Sequence, residues 1–77
     1  MITVYVTQHC FWCQRIKAFL NAHGLHFKEI DLSDDEEGRA ELMKRTGLLT
    51  FPQVFRDDDF LGGCQEAEKI LLTGGVA

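Results

Sequence analysis

The stretch Ile2–Leu20, ITVYVTQHCFWCQRIKAFL, decides the fold, because a strand pattern changes there into a helix pattern at a pair of cysteines. Residues 2–7 are rich in β-branched and aromatic side chains and carry apolar groups on both faces, which is typical of a buried central strand. Gly24 ends the helix that follows, since glycine adopts the left-handed conformation of a helix cap. Apolar residues recur along that helix at helical spacing: Trp12, Ile16, Phe19 and Leu20.

The sequence that follows predicts a second strand and a second helix. Residues 26–32 form the strand, in which Phe27 and Ile30 cannot share one face because side chains alternate along a strand. The run Ser33-Asp34-Asp35-Glu36 fits a capping box that opens a helix. Its acidic side chains lie in the first turn, where the helix dipole favours negative charge. Gly47 ends this helix.

The last third of the chain predicts a hairpin followed by a helix. Strands at 53–56 and 59–61 flank a turn at Asp57-Asp58. The helix ends at Gly74-Gly75 and places four apolar residues on one side: Cys64, Ala67, Ile70 and Leu71. The complete order βαβαββα combines a parallel pair, joined by a right-handed crossover, with an antiparallel hairpin. This order predicts an α/β fold with a four-stranded mixed sheet and three helices.

Length, charge and cysteine count exclude several classes of protein. The chain has 77 residues and a net charge of −4, so we expect a single domain over 1–77 and no nucleic-acid partner. Three cysteines are too few, and odd in number, for a secreted disulfide scaffold. Neither a membrane-spanning apolar run nor a signal peptide is visible, which predicts a cytoplasmic protein without a membrane partner.

Cys10 and Cys13 form a Cys-x-x-Cys motif at the junction of the first strand and the first helix. Cys10 is predicted at the helix N-cap, where unpaired backbone N–H groups and the helix dipole stabilise a thiolate. Cys13, three residues on, brings its sulfur back beside that of Cys10. One thiol attacks a disulfide and the other resolves the intermediate, which is the chemistry of thiol–disulfide exchange. Such a motif in a βαβ unit is typical of thioredoxin-like proteins.

Two other interpretations of the cysteine pair compete with the redox one. Cys10 and Cys13 with His23 and His26 superficially resemble a Cys2His2 zinc site, although both the central spacing and the His–His spacing miss the usual pattern. The pair could instead be buried and structural, since cysteine often behaves as a small apolar residue. The redox interpretation is favoured over both, and no metal ligands are assigned.

The chain resembles the glutaredoxins, a branch of the thioredoxin-like fold, along nearly its whole length. Three motifs carry the resemblance: C-F-W-C at 10–13, T-F-P-Q-V-F at 50–55 and G-G-C at 62–64. Each motif is moderately specific, and their order and separation in a chain of this length make the combination strongly specific. The resemblance implies a dithiol oxidoreductase in which Cys10 and Cys13 are catalytic.

The resemblance also implies a binding site for glutathione. Pro52 would follow a cis peptide bond and hold the backbone of Phe51 out as an edge that binds the cysteinyl unit. Gly63 would allow a close approach before the last helix, and the N–H groups of Cys64 and Gln65 would hold the γ-glutamyl carboxylate. A trans proline at a strand start and an ordinary strand-to-helix turn are the alternatives.

Two positions inside the active-site motif depart from the family pattern. Phe11 replaces the usual Pro, and Trp12 replaces the usual Tyr. Trp12 keeps an aromatic wall for glutathione, but its spacing from Ile16 equally fits a core position. Some glutaredoxins that lack this Pro carry a [2Fe–2S] cluster between two protomers, which is a further alternative, although the bulk of Phe11 would crowd such a cluster.

Two cationic contacts of the family are also missing. Thr7 replaces the usual Lys before the first cysteine, and Leu48 and Leu49 replace polar or basic residues. Exposed charge contacts are each worth only about 0–1 kcal/mol, so glutathione binding weakens rather than disappears. These positions point to an alternative electron donor, thioredoxin reductase, whereas the glycine pair at 62–63 points back to glutathione.

The sequence therefore predicts a small dithiol glutaredoxin that is most simply a monomer. Its expected partners are glutathione and proteins that contain disulfides or are glutathionylated, and no tightly bound cofactor is expected. Cys64, the third thiol, is interpreted as a bystander at the start of the last helix.

Overall fold

Strand β1 (Ile2–Val6) lies inside a four-stranded sheet of order β2-β1-β3-β4. The computed structural model describes residues 1–73. β1 pairs in parallel with β2 (Phe27–Asp31) and antiparallel with β3 (Gln53–Arg56), and β4 (Asp59–Gly62) pairs antiparallel with β3. This arrangement confirms the mixed sheet and the central position of the first strand.

Three helices complete the element order βαβαββα: α1 (Phe11–Ala22), α2 (Glu36–Thr46) and α3 (Cys64–Leu72). The fold is thioredoxin-like, as predicted. Both glycines proposed as helix stops have positive φ angles, +67° at Gly24 and +78° at Gly47. The end predicted for the last helix, Gly74-Gly75, lies outside the described residues, within which α3 ends at Leu72.

The sheet has a core on each face, because the side chains of β1 alternate between them. On one face, α1 and α3 pack over β1 through Val4, Ile16, Leu20 and Ala67, each fully buried. On the other face a smaller cluster joins α2 to the sheet: Leu32, Leu42 and Phe55. Phe27 packs against the first cluster and Ile30 against the second, which confirms that these two side chains lie on opposite faces.

The predicted capping box of α2 is wrong. The N-cap is Asp35, two residues after Ser33, and its carboxylate accepts the N–H of Gly38 at 2.8 Å. The helix itself begins at Glu36. Ser33 is occupied elsewhere: its hydroxyl accepts the N–H of Gln8 at 2.7 Å and donates to Asp31 at 2.6 Å. Ser33 thus fastens the loop after β1 to the end of β2, and that loop leads into the cysteine pair.

The chain reverses direction between the last two strands of the sheet. β3 and β4 flank a turn at Asp57, which has a φ of +55°, so the predicted hairpin is confirmed. The carboxylate of Asp57 also accepts a hydrogen bond from the N-terminal ammonium at 2.7 Å.

Within residues 1–73, none of the helices combines the length and the apolar character that crossing a membrane requires.

Candidate active site

Cys10 is the N-cap residue of α1, as the sequence predicts. Its backbone is extended, with φ −108° and ψ 109°, and its Sγ accepts the N–H of Cys13 at 3.1 Å. His9 has a φ of +57°, so the chain turns sharply just before the cap. A sulfur in this position faces the unpaired N–H groups of the first helical turn, which stabilise negative charge on it.

Cys10 and Cys13 form a disulfide with their Cα atoms 5.2 Å apart. Cys13 is the third residue of α1 and only 1% exposed, whereas Cys10 is partly exposed. Two purely structural, buried cysteines do not fit this difference. Cys13 belongs to the core, and Cys10 packs against that core from a more exposed position, so Cys10 is the more accessible residue of the pair.

The peptide bond between Phe51 and Pro52 is cis, as the resemblance implied. The carbonyl oxygen of Phe51 lies 3.8 Å from Cys10 Sγ. Phe51 precedes Gln53, the first residue of β3 that pairs with β1. Its backbone therefore stands beside the reactive sulfur and outside the strand ladder, where an extended peptide could pair with it.

Gln53 fixes the loop that carries this proline, a role that the sequence did not reveal. Its side chain is 1% exposed, and its Nε2 donates to the carbonyl oxygens of Leu48 and Thr50, both at 3.0 Å. A buried amide that bonds two backbone carbonyls holds a loop in one conformation. The available signal was a polar side chain inside an apolar strand.

Trp12 lies on the surface, so its predicted core alternative is wrong. Its side chain is 41% exposed, and the core position at this turn of α1 is taken by Cys13 instead. The neighbouring Phe11 is 71% exposed, and the two rings meet edge to face with centroids 5.3 Å apart. Both residues lie between the two cysteines in the chain, and their rings are open to solvent.

Leu48 and Leu49, in the loop held by Gln53, are also exposed. Phe11 and Trp12, on the first turn of α1, are exposed as well. Single apolar side chains on a surface are ordinary, and these two segments approach each other where the Phe51 carbonyl oxygen lies 3.8 Å from Cys10 Sγ.

The N-terminus of α3 reaches the same region. Gly63 is its N-cap, and a Cβ at Gly63 would lie 3.5 Å from the carbonyl oxygen of Pro52, which is an ordinary van der Waals contact, so the approach of these two segments does not require glycine. Cys64 and Gln65 are the first two residues of the helix, whose N–H groups have no acceptor within it. The carboxylate of Glu66 accepts the N–H of Gly63 at 3.0 Å.

Cys64 is separate from the cysteine pair and almost completely buried. Its side chain is 5% exposed, and its Sγ donates to the carboxylate of Glu68 at 3.3 Å. Burial, followed by this hydrogen bond and the charge of Glu68, raises the pKa of Cys64 to about 12. The thiol is therefore held in its protonated, unreactive form.

The zinc interpretation is wrong, because α1 separates its ligands. Cys10 lies at the N-cap, and His23 lies at the C-cap with its Nδ1 2.9 Å from the carbonyl oxygen of Phe19. A helix of 12 residues is about 18 Å long, far beyond the reach of one ion. Within residues 1–73, no group of three or more His, Cys, Asp or Glu side chains is placed to hold a metal.

Comparison with known proteins places this site among its relatives. The family model described as Glutaredoxin matches residues 2–61. The chain is 33% identical over 75 residues to glutaredoxin 3 of Escherichia coli strain K12, which covers 97% of this chain and 90% of that protein.

Solved structures agree with that match. The solution structure of glutaredoxin from Brucella melitensis has a TM-score of 0.81 and 37% identity, covering 97% of this chain and 82% of the other. The crystal structure of the buckwheat glutaredoxin-glutathione complex has a TM-score of 0.83 and 28% identity, covering 95% of this chain and 69% of the other. With its helix-capping cysteine pair, the chain belongs to the glutaredoxin family and is a thiol-disulfide oxidoreductase.

Proposed function

We propose that this protein uses glutathione to reduce protein disulfides and glutathione mixed disulfides through Cys10 and Cys13. The position of the Cys10 sulfur carries the proposal. It accepts the N–H of Cys13 at 3.1 Å and lies 3.8 Å from the carbonyl oxygen of Phe51. A partly exposed sulfur at a helix start, beside a free backbone edge, is suited to in-line attack on a disulfide.

The reaction proceeds by two exchanges on the protein. The Cys10 thiolate attacks one sulfur of the substrate disulfide, whose S–S bond breaks, and the leaving thiolate takes a proton from solvent. When the substrate is a protein disulfide, the Cys13 thiolate attacks Cys10 Sγ, the second substrate sulfur leaves and takes a proton from solvent, and the disulfide between Cys10 and Cys13 forms. The substrate has then gained two electrons and two protons.

Glutathione returns the pair to the dithiol form. The thiolate of one glutathione attacks Cys10 Sγ and releases Cys13 as a thiol. A second glutathione attacks the glutathionyl sulfur, which releases Cys10 and forms glutathione disulfide. Two glutathione molecules are oxidised for each protein disulfide that is reduced, so the electrons balance.

Several residues of the site support a glutathione contact. We propose that the backbone of Phe51, held by Pro52, pairs with the cysteinyl unit, while the N–H groups of Cys64 and Gln65 receive the γ-glutamyl carboxylate at the α3 N-terminus. Gly63, the N-cap of α3, lies next to the carbonyl oxygen of Pro52, with 3.5 Å between that oxygen and the position of a Cβ at Gly63, so this terminus and the cis proline are neighbours. The buckwheat relative of known structure is a glutathione complex.

Trp12 contributes the wall of this contact. Its ring is 41% exposed on the first turn of α1, next to the N-cap cysteine. An indole face in that place would cover the cysteinyl side chain of a bound glutathione and exclude water from the exchanging sulfurs.

A coupled assay tests the proposal. Glutathione, glutathione reductase and NADPH are supplied with a glutathionylated peptide, and the loss of NADPH is followed. We expect turnover that depends on this protein and disappears in Cys10→Ser. Protein-dependent turnover with thioredoxin reductase, and none with glutathione, would contradict glutathione as the donor.

Thioredoxin reductase, the alternative electron donor, is favoured by one observation. Leu48 and Leu49 are 43% and 66% exposed, so the loop before the cis proline carries exposed apolar side chains at the positions where the resemblance implies cations for the glycyl carboxylate. An apolar surface suits a protein reductase better than a small anionic tripeptide. Replacing both leucines by lysine should lower the KM for glutathione if glutathione is the donor.

A shared [2Fe–2S] cluster, a cytoplasmic location and a monomeric state remain proposals. A [2Fe–2S] cluster shared between protomers would have to accommodate Phe11, whose ring is 71% exposed beside Cys10. An absorbance band in the visible region after anaerobic reconstitution would support it. A cytoplasmic location and a monomeric state are also proposed, and sedimentation of the reduced protein tests the latter.

A further inference from the structure

Arg15 connects the reactive end of α1 to α3. Its guanidinium carbon lies 5.3 Å from the centroid of the Trp12 ring, in a cation–π arrangement. The same guanidinium donates to both oxygens of Glu68, from Nε at 3.1 Å and from Nη2 at 3.2 Å. One cation therefore contacts the indole beside the cysteine pair and a carboxylate on another helix.

Glu68 is the fixed end of this arrangement. Its side chain is 13% exposed, whereas that of Arg15 is 47% exposed. Its Oε2 also accepts the thiol of Cys64 at 3.3 Å, so both carboxylate oxygens are engaged. A carboxylate with three hydrogen bonds has little rotational freedom, and its bidentate contact fixes the plane of the guanidinium.

The orientation of the guanidinium in turn restricts the indole. Trp12 is exposed enough to change rotamer, and its ring contacts Phe11 on one side and Arg15 on another. Both ends of the proposed glutathione contact are thereby linked, since Trp12 lies on the first turn of α1 and Cys64 begins α3.

We propose that Arg15 and Glu68 are positioning residues that hold the Trp12 ring at the wall of the active site. The proposal rests on the function proposed above only for its effect on turnover. When either partner is lost, the indole samples other rotamers, so substrate binding weakens while the sulfur chemistry at Cys10 is unchanged. The expected kinetic signature is a raised KM with little change in kcat.

The fluorescence of the protein reports directly on the mobility of the indole, because Trp12 is the only tryptophan in the sequence. Acrylamide quenching and anisotropy decay are measured on the reduced protein without substrate, for wild type, Glu68→Gln and Arg15→Glu. We expect faster local motion and quenching increased about twofold, the size of effect that a lost exposed cation–π contact allows. The charge-swapped double variant, Arg15→Glu with Glu68→Arg, restores an ion pair but removes the cation of residue 15 from the indole, so its quenching and anisotropy should stay close to those of Arg15→Glu.

A second ion pair of α1 supplies a matched control. Lys17 Nζ binds the Glu29 carboxylate at 2.9 Å and joins α1 to β2. Glu29→Gln removes an exposed ion pair of the same helix without touching Trp12, so its quenching and anisotropy should equal those of wild type. Equal changes in Glu29→Gln and Glu68→Gln would overturn the proposal, because they would indicate a general loosening of α1.

Kinetics complete the test. The KM for insulin is measured with dithiothreitol as the reductant, so the result does not depend on glutathione being the natural donor. We expect Glu68→Gln to raise this KM about threefold with kcat within twofold of wild type, as expected when ground-state contacts are lost. Unchanged indole fluorescence in a folded Glu68→Gln would overturn the proposal, and so would a loss of kcat with KM unchanged.

Discussion

Helices α1 and α3 both begin beside a cysteine: Cys10 is the N-cap residue of α1, and Cys64 is the first residue of α3. At the N-cap the sulfur turns back and accepts a backbone N–H at 3.1 Å. One position further on, the sulfur of Cys64 is buried and instead donates to Glu68 at 3.3 Å. The same side chain is an acceptor at one helix start and a donor at the other.

This difference shows that a helix N-terminus alone does not make a reactive thiol. The helix dipole favours a thiolate at both sites, but a carboxylate next to Cys64 opposes it and burial removes the solvation of the charge. Within residues 1–73, the hydrogen-bonding neighbours of Cys10 Sγ are the N–H of Cys13 and the carbonyl oxygen of Phe51. Burial first, and then the neighbouring carboxylate, distinguish the thiol of Cys64 from that of Cys10.

The largest expected difference between the two helix starts is in the rate of disulfide reduction, when each thiol is removed in turn. Cys10→Ser should lower the rate of insulin disulfide reduction by at least about a hundredfold, because the nucleophile is lost. Cys64→Ser should keep the rate within about twofold, since a hydroxyl can also donate to Glu68 and only the backbone N–H of residue 64 belongs to the proposed glutathione contact. Comparable losses in the two variants would erase the distinction between the two helix starts.

A smaller effect is expected from the carboxylate that protects Cys64. In the oxidised protein Cys64 is the only free cysteine, so iodoacetamide labelling at pH 9 reports on it alone. Glu68→Gln removes a charge and a hydrogen bond that help to raise the pKa of Cys64, and labelling should become roughly severalfold faster. Burial, the largest cause of the raised pKa, remains.

Glu29→Gln is the control for labelling. It removes a more exposed acidic side chain, 41% against 13% for Glu68, which also binds a cation of α1 but does not contact Cys64. Its labelling rate should match that of wild type. If Glu68→Gln labelled no faster than this control, the carboxylate would have no part in keeping the thiol protonated.

The smallest effect concerns stability in alkali. The pKa of Cys64 is raised from 9.0 to about 12 in the folded protein, first by burial and then by Glu68. Between these values the unfolded chain binds fewer protons than the folded one, so the free energy of unfolding falls as pH rises. This contribution is complete below about pH 9 and is lost as pH rises through the folded pKa.

Urea unfolding of the oxidised protein at pH 8 and pH 10.5 measures this loss. Cys64→Ser should lose less stability than wild type over that interval, because serine does not titrate there. An equal loss in the two proteins would mean that Cys64 ionises as easily in the folded chain as in the unfolded one.

Much of the fold could be predicted from the sequence because its signals are local. The alternating residues of β1 and the glycine stops of α1 and α2 lie within a few residues of the structure they specify. Cys10 was placed at the N-cap for the same reason. Its position depends on where a strand pattern ends and a helix pattern begins, which the sequence itself displays.

Other features could not be predicted because they depend on distant partners. Ser33 and Asp35 are equally good N-cap residues, and the contact of Ser33 with Gln8, 25 residues away, decides between them. Arg15 and Glu68 are 53 residues apart in sequence, so nothing local connects them. Trp12 fitted a helical stripe, but the neighbouring Cys13 fills the core in its place.

The most direct test of the account is to find which sulfur accepts glutathione. Cys13→Ser, which cannot resolve a mixed disulfide, is reacted with one equivalent of glutathione disulfide, quenched with acid and digested for mass spectrometry. We expect one glutathionyl group per chain, located on the peptide that contains Cys10. Glutathionylation of the Cys64 peptide, or none on Cys10, would contradict it.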